Sequence, residues 1–366
     1  MRPKPFAPIP ASLPATVPFI GPETLQRRRG AAFDARLGAN ENGFGPSPAA
    51  IAAMRDEAAR AWQYGDSTSH DLRHALADHH AVPAESVTVG EGIDGLLGNL
   101  ARLMIDRGDV AVTSDGAYPT FNYHVAGFGG ALHKVPYRDD AEDLDALSAA
   151  ARNRGARLVY LANPDNPMGS WHQGPAIRAM LDDLPDSALL ILDEAYIEFA
   201  PDSAIPQIAA DDPRVIRMRT FSKAYGLAGA RIGYAIGHPD LIDGFERIRN
   251  HFGVNRMAQA GALAALRDSA WLSDIRHQVG KARDRLAAIA AANGMTALPS
   301  ATNFVAVDTG RDGAFSRRLV AALERQGVFV RMPGVPPLDR CIRISCAPAP
   351  ELDILAEALP RALAGL

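Results

Sequence analysis

Short apolar runs alternate with helical patterns from about residue 86 onward, and this alternation constrains the fold more than any other feature of the chain. Several runs are apolar at nearly every position, as expected for strands that are buried on both faces of a sheet. The runs lie at residues 86–89, 110–113, 158–161, 189–192, 215–218 and 232–236. The pattern predicts an α/β fold in which helices cover both faces of a mostly parallel sheet.

The character of the sequence changes after about residue 256. Residues 258–293 have helical spacing, and three strand-like segments follow at 303–307, 328–331 and 341–345. Helices that are separated from a few strands are typical of a smaller α+β domain. A chain of 366 residues also exceeds what one hydrophobic core supports. We therefore predict a large domain at 45–256 and a small domain that combines 1–44 with 257–366.

The composition is that of an ordinary globular protein, with a net charge of −4 and no basic excess. We therefore expect no binding to nucleic acid or to an anionic membrane surface. No apolar run is long enough to span a bilayer, and the proline-rich start lacks the apolar core of a signal peptide. Cys341 and Cys346 lie on one predicted strand and are poorly placed to pair, which suits a reducing compartment. The sequence thus predicts a soluble, cytoplasmic protein.

Polar side chains follow four of the predicted strands, at residues 91–94, 163–166, 193–196 and 220–223. In open sheets of this kind, ligands bind outside the carboxyl ends of the strands. We therefore expect the active site at that edge of the sheet.

The segment 220–231 contains a lysine among small and apolar residues. The amine of Lys223, held there in poor solvent, is a nucleophile suited to forming a Schiff base. Thr220, Ser222 and Arg231 supply hydrogen-bond donors for an anion such as a phosphate. An amine nucleophile beside a phosphate site indicates pyridoxal phosphate, whereas the segment alone would also allow a solvated loop lysine.

Two further features support a cofactor site. Asp193 closes an apolar strand, so its carboxylate is placed to keep a pyridine nitrogen protonated, although an ordinary strand-end aspartate is the alternative. The glycine-rich loop at 90–95 follows a strand and opens a helical stretch at 96–104. Backbone amides at such a helix start bind anions, although most loops of this kind are only turns.

Six segments occur in order and with compatible spacing: LGANENGFGPSP at 37–48, NPDNPMG at 163–169, DEAY at 193–196, TFSKAYGLAGARIGY at 220–234, NFV at 303–305 and RIS at 343–345. Together they resemble the fold-type-I pyridoxal-phosphate aminotransferases, in particular the histidinol-phosphate aminotransferase branch. The resemblance extends from about residue 17 to the C-terminus.

The resemblance implies a role at the cofactor for each matching residue. Lys223 matches the Schiff-base lysine, whose freed amine moves the proton between the substrate carbon and the cofactor. Asp193 matches the partner of the pyridine nitrogen, while Tyr196 and Asn166 match the residues that contact the phenolic oxygen. The phosphate contacts would come from Gly92, Ile93, Thr220, Ser222 and Arg231, with Ile93 standing where Ser or Ala is usual, and Asp94 retains the family's acid beside the cofactor.

The same resemblance assigns a stacking ring, a subunit contact and the substrate contacts. Phe121 matches the ring that stacks on the pyridine, with a core aromatic as the alternative. Tyr64 matches a tyrosine that reaches the cofactor phosphate of the partner subunit, which implies a homodimer. Arg343 and Asn42 match substrate-binding positions, and Arg331, at the end of a strand-like segment, is a second candidate for a distal phosphate or carboxylate. Arg343 alternates with apolar neighbours on its strand and suits a carboxylate clamp, whereas a solvated surface arginine is the alternative for Arg331.

The implied enzyme is a homodimeric aminotransferase that moves an amino group between an amino acid or amine and a 2-oxo acid such as 2-oxoglutarate. Histidinol phosphate is the leading donor, and aromatic or other amino acids are alternatives because Met168 and Phe19 stand where Thr and Tyr are usual. Decarboxylases and C–S lyases of the same fold are a further alternative. We expect small-molecule partners and no metal. We do not expect a cofactor-binding regulator, because the stretch before Leu37 is short for an appended DNA-binding domain.

Overall fold

The computed structural model describes residues 5–14 and 20–366, so Phe19 lies outside the described residues. The strands of the described ranges are β1 (Ala35–Arg36), β2 (Val87–Gly90), β3 (Val110–Ser114), β4 (Ala131–Val135), β5 (Leu158–Ala162), β6 (Leu189–Asp193), β7 (Val215–Thr220), β8 (Gly233–Gly237), β9 (Thr296–Ala297), β10 (Phe304–Asp308), β11 (Val328–Phe329) and β12 (Cys341–Ser345). The helices are α1 (Pro8–Ser12), α2 (Pro22–Arg29), α3 (Pro48–Ala58), α4 (His70–His80), α5 (Gly92–Met104), α6 (Thr120–Gly127), α7 (Leu144–Arg154), α8 (Gly174–Asp183), α9 (Pro239–Glu246), α10 (Arg256–Arg267), α11 (Ser269–Ala292), α12 (Gly313–Arg325) and α13 (Ala349–Ala364).

A seven-stranded sheet carries the fold, in the order β2-β8-β7-β6-β5-β3-β4. Neighbouring strands are parallel except at β8, which runs antiparallel to both β2 and β7. As a result, the carboxyl ends of the other six strands and the amino end of β8 lie at the same edge. The predicted α/β fold with a mostly parallel sheet is confirmed.

Helices cover both faces of this sheet. Tyr160 and Ile191 pack in one apolar cluster with residues of α5, α6 and α9. Their chain neighbours Val159 and Leu190 pack in another cluster with residues of α7 and α8. Because successive side chains of a strand point to opposite faces, these strands are apolar at every position. The prediction omitted β4, an edge strand whose partly exposed sequence ALHKV lacks a continuous apolar run.

The predicted helical stretch at 258–293 is divided into α10 and α11. The break occurs at Asp268, whose carboxylate accepts a hydrogen bond from the backbone N–H of Trp271 and caps α11. An aspartate side chain that binds a nearby N–H favours a new helix start over a continuous helix.

The remaining strands form two small sheets, one of order β12-β10-β9 and one that pairs β1 with β11. Ala35 and Leu37 share an apolar cluster with residues of α11, α12 and α13, so the start of the chain packs with its end. Helix α10 instead packs beside α3 and α4 in a cluster that includes residues of β2 and β8. The predicted division into 45–256 and 1–44 with 257–366 stays a prediction.

Two findings bear on the environment of the chain. None of the helices in the described part is long and apolar enough to cross a membrane. Cys341 and Cys346 are buried and unpaired.

Candidate active site

A cavity of about 590 Å³ opens at the edge of the sheet where the six carboxyl ends meet. Its wall combines strand ends of the large sheet with the loop at 38–41 and the segment at 331–335. The predicted residues on this wall are Ile93, Asp94, Asn166, Asp193, Tyr196, Thr220, Ser222, Lys223, Arg231, Arg331 and Arg343. Residues that are far apart in the sequence are thus brought together as the strand pattern predicted.

Lys223 projects into the cavity from the turn after β7. Its amine donates a hydrogen bond to the carbonyl oxygen of Asn40 at 3.2 Å and lies 5.5 Å from the ring centre of Tyr196. The turn is closed by a hydrogen bond from the Gly226 amide to the Lys223 carbonyl. Gly226 has a φ of +71°, and a Cβ there would lie 2.6 Å from the Gly45 backbone, so this position requires glycine.

Asp193 ends β6 and presents a buried carboxylate to the cavity. Burial raises its pKa to about 6, while hydrogen bonds from Tyr160 and from the Ala195 amide oppose that rise. The Tyr160 hydroxyl donates to Oδ2 at 2.6 Å, and the Ala195 N–H donates to Oδ1 at 2.9 Å. A carboxylate held this way is ionised at neutral pH and suited to pairing with a cationic ring nitrogen.

Residues predicted to hold an anion lie at the start of α5, and we call this place the anion cradle. Gly92 has a φ of +78° and turns the chain from β2 into the helix, whose first amides lack intrahelical partners. Arg231 lies beside these amides, with Nη2 at 3.6 Å from the Asp94 carboxylate. A Cβ at position 92 would lie 2.8 Å from that Nη2 atom, so glycine keeps the cradle open. Arg231 reaches this edge because β8, which it precedes, starts there.

The opposite part of the cavity carries two arginines. Arg343 contacts the side-chain oxygen of Asn166 through Nη1, and its guanidinium lies 5.3 Å above the Phe304 ring. Burial lowers the pKa of Arg343 to about 10, which leaves it charged at neutral pH. Its buried Nε has no hydrogen-bond partner among the described residues. Such an unsatisfied cationic donor suits an anionic ligand.

Arg331 pairs with Arg343 through an antiparallel backbone bridge, so both side chains start from the same face. Arg331 donates to the Ile20 carbonyl at 2.9 Å and lies 5.5 Å above the Phe329 ring. Each guanidinium therefore lies over an aromatic ring, and both arginines line the same cavity.

Four predicted residues do not line the cavity of their own chain, and one of them is Gly92, which lies in the turn at the start of α5. Phe121 is fully buried and stacks on Tyr160 at 5.1 Å, because the first turn of α6 directs it into the core. The Asn42 side chain donates a hydrogen bond to the Ala224 carbonyl and accepts one from the Phe44 amide, so its contacts hold the loop rather than a ligand. Tyr64 is 79% exposed at the surface.

Sequence reasoning did not single out three residues of the cavity wall. Asn40 donates its amide to the Tyr196 hydroxyl at 3.0 Å and has a positive φ of 53°, a conformation that asparagine tolerates. Tyr118 donates its hydroxyl to Asp94 at 2.9 Å. Tyr160 interrupts an apolar strand. Because a buried tyrosine hydroxyl needs a hydrogen-bond partner, this interruption was a signal that could have pointed to Tyr160.

Comparison with known proteins identifies the family. The sequence model of aminotransferase class I and II matches residues 35–359. A histidinol-phosphate aminotransferase from Sinorhizobium meliloti, solved in complex with pyridoxal-5'-phosphate, is 52% identical, has a TM-score of 0.96, and is matched over 99% of this chain and 98% of that chain. A histidinol-phosphate aminotransferase from an Anaeromyxobacter species is 38% identical over 88% of each protein. An aromatic amino acid aminotransferase from Thermobifida fusca is 38% identical over 81% of this chain and 82% of its own length.

The chain belongs to the class I and II aminotransferases. It is a pyridoxal-phosphate-dependent transaminase, and the predictions of fold, cofactor and reaction type are confirmed. The cavity fits this cofactor, because an anion cradle, a lysine amine and a buried carboxylate face one space that a phosphate, an aldehyde and a ring nitrogen can occupy.

Proposed function

We propose that this enzyme transfers the amino group of histidinol phosphate to 2-oxoglutarate. The observation that carries the proposal is the pairing of Arg331 with Arg343 in a cavity that also holds Lys223 and Asp193. The names of the Sinorhizobium meliloti and Anaeromyxobacter relatives support the same donor.

Each predicted cofactor residue has a proposed task. The α5 amides, Ser222 and Arg231 would hold the phosphate, and Asp193 would hold a proton on the ring nitrogen. Bound pyridoxal phosphate supplies an aldehyde that links to amines and a ring that withdraws electrons from the adjacent carbon. Tyr196 and Asn166 would hydrogen-bond the phenolic oxygen.

Lys223 is the proposed base and acid of the reaction. Once the substrate amine has taken its place, its own amine is free to move a proton at the substrate carbon. The Asn40 carbonyl, which accepts a hydrogen bond from this amine at 3.2 Å, would hold the amine beside the site whenever it is not bonded to the cofactor.

The pair of arginines favours a substrate that carries a group with two negative charges. Their like charges lower the pKa of Arg343 beyond the effect of burial, so a ligand with two negative charges would relieve the repulsion. Histidinol phosphate offers a phosphate where an amino acid offers a carboxylate. 2-Oxoglutarate would place a carboxylate at the same guanidinium groups in the second half of the reaction.

An aromatic amino acid is a second candidate donor, favoured by the similarity to the Thermobifida fusca enzyme. A donor screen tests both. Purified holoenzyme is mixed with 2-oxoglutarate and with histidinol phosphate, histidinol, phenylalanine, tyrosine or aspartate, and glutamate is measured. We expect kcat/KM for histidinol phosphate to exceed that for histidinol, its match without the phosphate, by about 100-fold. Preference for phenylalanine or tyrosine would overturn the proposed donor, and release of carbon dioxide or a thiol without glutamate would contradict transamination.

The homodimer is also proposed. Trp62 and Tyr64 are 81% and 79% exposed, and the centre of the Tyr64 ring lies 4.8 Å from the ring centre of the half-exposed Phe252. An exposed aromatic group of this kind is typical of a protein interface. Tyr64 would then reach the cofactor phosphate of the partner subunit. The cytoplasm remains the proposed location, supported by the unpaired Cys341 and Cys346.

A further inference from the structure

Tyr160 and Asp193 are diagonal neighbours on adjacent parallel strands. Ala162 of β5 pairs with Asp193 of β6, and Tyr160 stands two residues before Ala162 on the same strand. Because side chains alternate between faces, Tyr160 and Asp193 project from the same face of the sheet. Their contact is the 2.6 Å hydrogen bond from the phenol to Oδ2.

The surroundings leave this phenol little freedom. Tyr160 is fully buried, and its ring lies 5.1 Å from that of Phe121 at an interplanar angle of 16°. Phe121 is itself fully buried against α5 and the sheet. The stacking therefore fixes the direction in which the hydroxyl donates. Phe121 therefore supports the cavity wall from behind, by holding the ring of Tyr160.

We propose that Tyr160 is a positioning residue of the transaminase, which keeps the Asp193 carboxylate ionised and aimed at the ring nitrogen of the bound cofactor. This inference rests on the proposed role of Asp193. With Tyr160 on Oδ2 and the Ala195 amide on Oδ1, both oxygens are tied, and the carboxylate is held in one plane.

The electrostatic reason is the burial of Asp193. Burial disfavours the charged carboxylate, and a donated hydrogen bond favours it. Without the phenol, the proton shared by Asp193 and the ring nitrogen would shift towards the carboxylate. The ring would then lose its positive charge and much of its ability to withdraw electrons. Burial also raises the pKa of Tyr160, so its hydroxyl stays protonated and remains a donor at neutral and alkaline pH.

The test removes the hydroxyl and measures cofactor binding rather than turnover alone. Apoenzyme of Tyr160→Phe is titrated with pyridoxal phosphate, and the dissociation constant is read from the visible absorbance. We expect an increase of about tenfold, the effect of one hydrogen bond to a charged group. The pH midpoint of the visible absorbance of the lysine-bound cofactor should rise, because an uncharged ring no longer repels a second positive charge.

Tyr137→Phe is the matched control. The Tyr137 hydroxyl also donates to a buried carboxylate, Asp165 Oδ1 at 2.8 Å, and neither residue lines the cavity. Both variants should lower the melting temperature of the apoenzyme, and only Tyr160→Phe should change the cofactor affinity and the absorbance midpoint. Equal effects of the two variants on affinity would reduce Tyr160 to a structural role and overturn the proposal.

Asp193→Asn separates this inference from the proposed function. We expect Tyr160→Phe to have no further effect on affinity in the Asp193→Asn background, since the two residues act as one unit. If Asp193→Asn weakens binding and Tyr160→Phe does not, Tyr160 is not a positioning residue and the role of Asp193 stands. If neither substitution changes binding, both proposals are wrong. Phe121→Leu, which loosens the stacked ring, is the second variant should Tyr160→Phe yield no folded apoenzyme, with an expected loss of affinity of about threefold.

Discussion

The amine of Lys223 donates to the carbonyl oxygen of Asn40 at 3.2 Å, and the Asn40 side chain donates to the Tyr196 hydroxyl at 3.0 Å. One residue near the start of the chain thus contacts two proposed catalytic residues from the middle of it. The side-chain amide of Asn303, the residue before β10, donates to the same Asn40 carbonyl at 3.1 Å and also supports the arrangement. The active site therefore depends on packing between both ends of the chain and the large sheet.

Lys223→Ala should abolish the visible absorbance of the lysine-bound cofactor. The sequence contains four lysines, and of the three that the structure describes, Lys223 and Lys134 line the cavity. Lys281 on α11 lies elsewhere and provides the control, since Lys281→Ala should keep the band. A band that survives in Lys223→Ala would assign the covalent link to another lysine, with Lys134 as the first to test.

Arg343→Ala should raise KM for 2-oxoglutarate by about 100-fold, with a smaller effect on kcat, because a charge-assisted clamp is lost. Steady-state kinetics with varied acceptor concentration measure this. Arg285→Ala, which removes an exposed arginine of α11, should leave KM unchanged. If KM rises in Arg331→Ala and not in Arg343→Ala, the acid clamp is Arg331.

Cofactor affinity should fall as the pH drops below about 6. The raised pKa of Asp193, about 6, means that the apoenzyme loses this negative charge as the pH falls through that value. The loss should approach tenfold per pH unit once Asp193 is protonated. Titrations between pH 5 and 8, in about half-unit steps, measure the effect. The same titrations of Asp193→Asn measure the contribution of the cofactor phosphate. An identical pH profile in that variant would exclude Asp193 as the titrating group.

Gly92→Ala should weaken cofactor binding beyond its effect on folding. An alanine at φ +78° is strained by about 1–2 kcal/mol, and its Cβ would push the Arg231 guanidinium out of the cradle. Gly155→Ala is a matched control, because Gly155 has a φ of +60° with open space around it. Both variants should lose similar stability in thermal unfolding, whereas cofactor affinity should fall in Gly92→Ala alone. Unchanged affinity in Gly92→Ala would remove the cradle from the proposed phosphate site.

Mixed dimers test the role of Tyr64. We expect Tyr64→Phe to weaken cofactor binding about tenfold, through loss of a hydrogen bond to the phosphate. In a hybrid of one Tyr64→Phe subunit and one Lys223→Ala subunit, one site combines an intact lysine with an intact tyrosine. That site should bind cofactor with wild-type affinity. If the hybrid keeps the weak affinity of Tyr64→Phe, the tyrosine acts within its own chain. Unchanged affinity in Tyr64→Phe itself would show that the tyrosine does not contact the cofactor.

The sequence predicted the strands of the large sheet well because those strands are apolar on both faces. Their continuous runs stand out without any knowledge of their neighbours, as at 158–161 and 189–192. The edge strand β4 and the break at Asp268 were missed, since a partly exposed strand and a single capping residue give weak local patterns.

The sequence by itself determined the α/β fold, the edge of the sheet that holds the site, and the lysine, carboxylate and arginines that face it. The fold and the edge follow from local patterns, and the lysine, the carboxylate and the arginines follow from residue chemistry together with the resemblance to a known family. Tertiary structure alone decided that Tyr160 holds Asp193, that Asn40 holds Lys223, and that Phe121 lies behind the wall rather than on it. Such contacts depend on strand register and on the packing of distant segments, and neither is encoded within any short stretch of the chain.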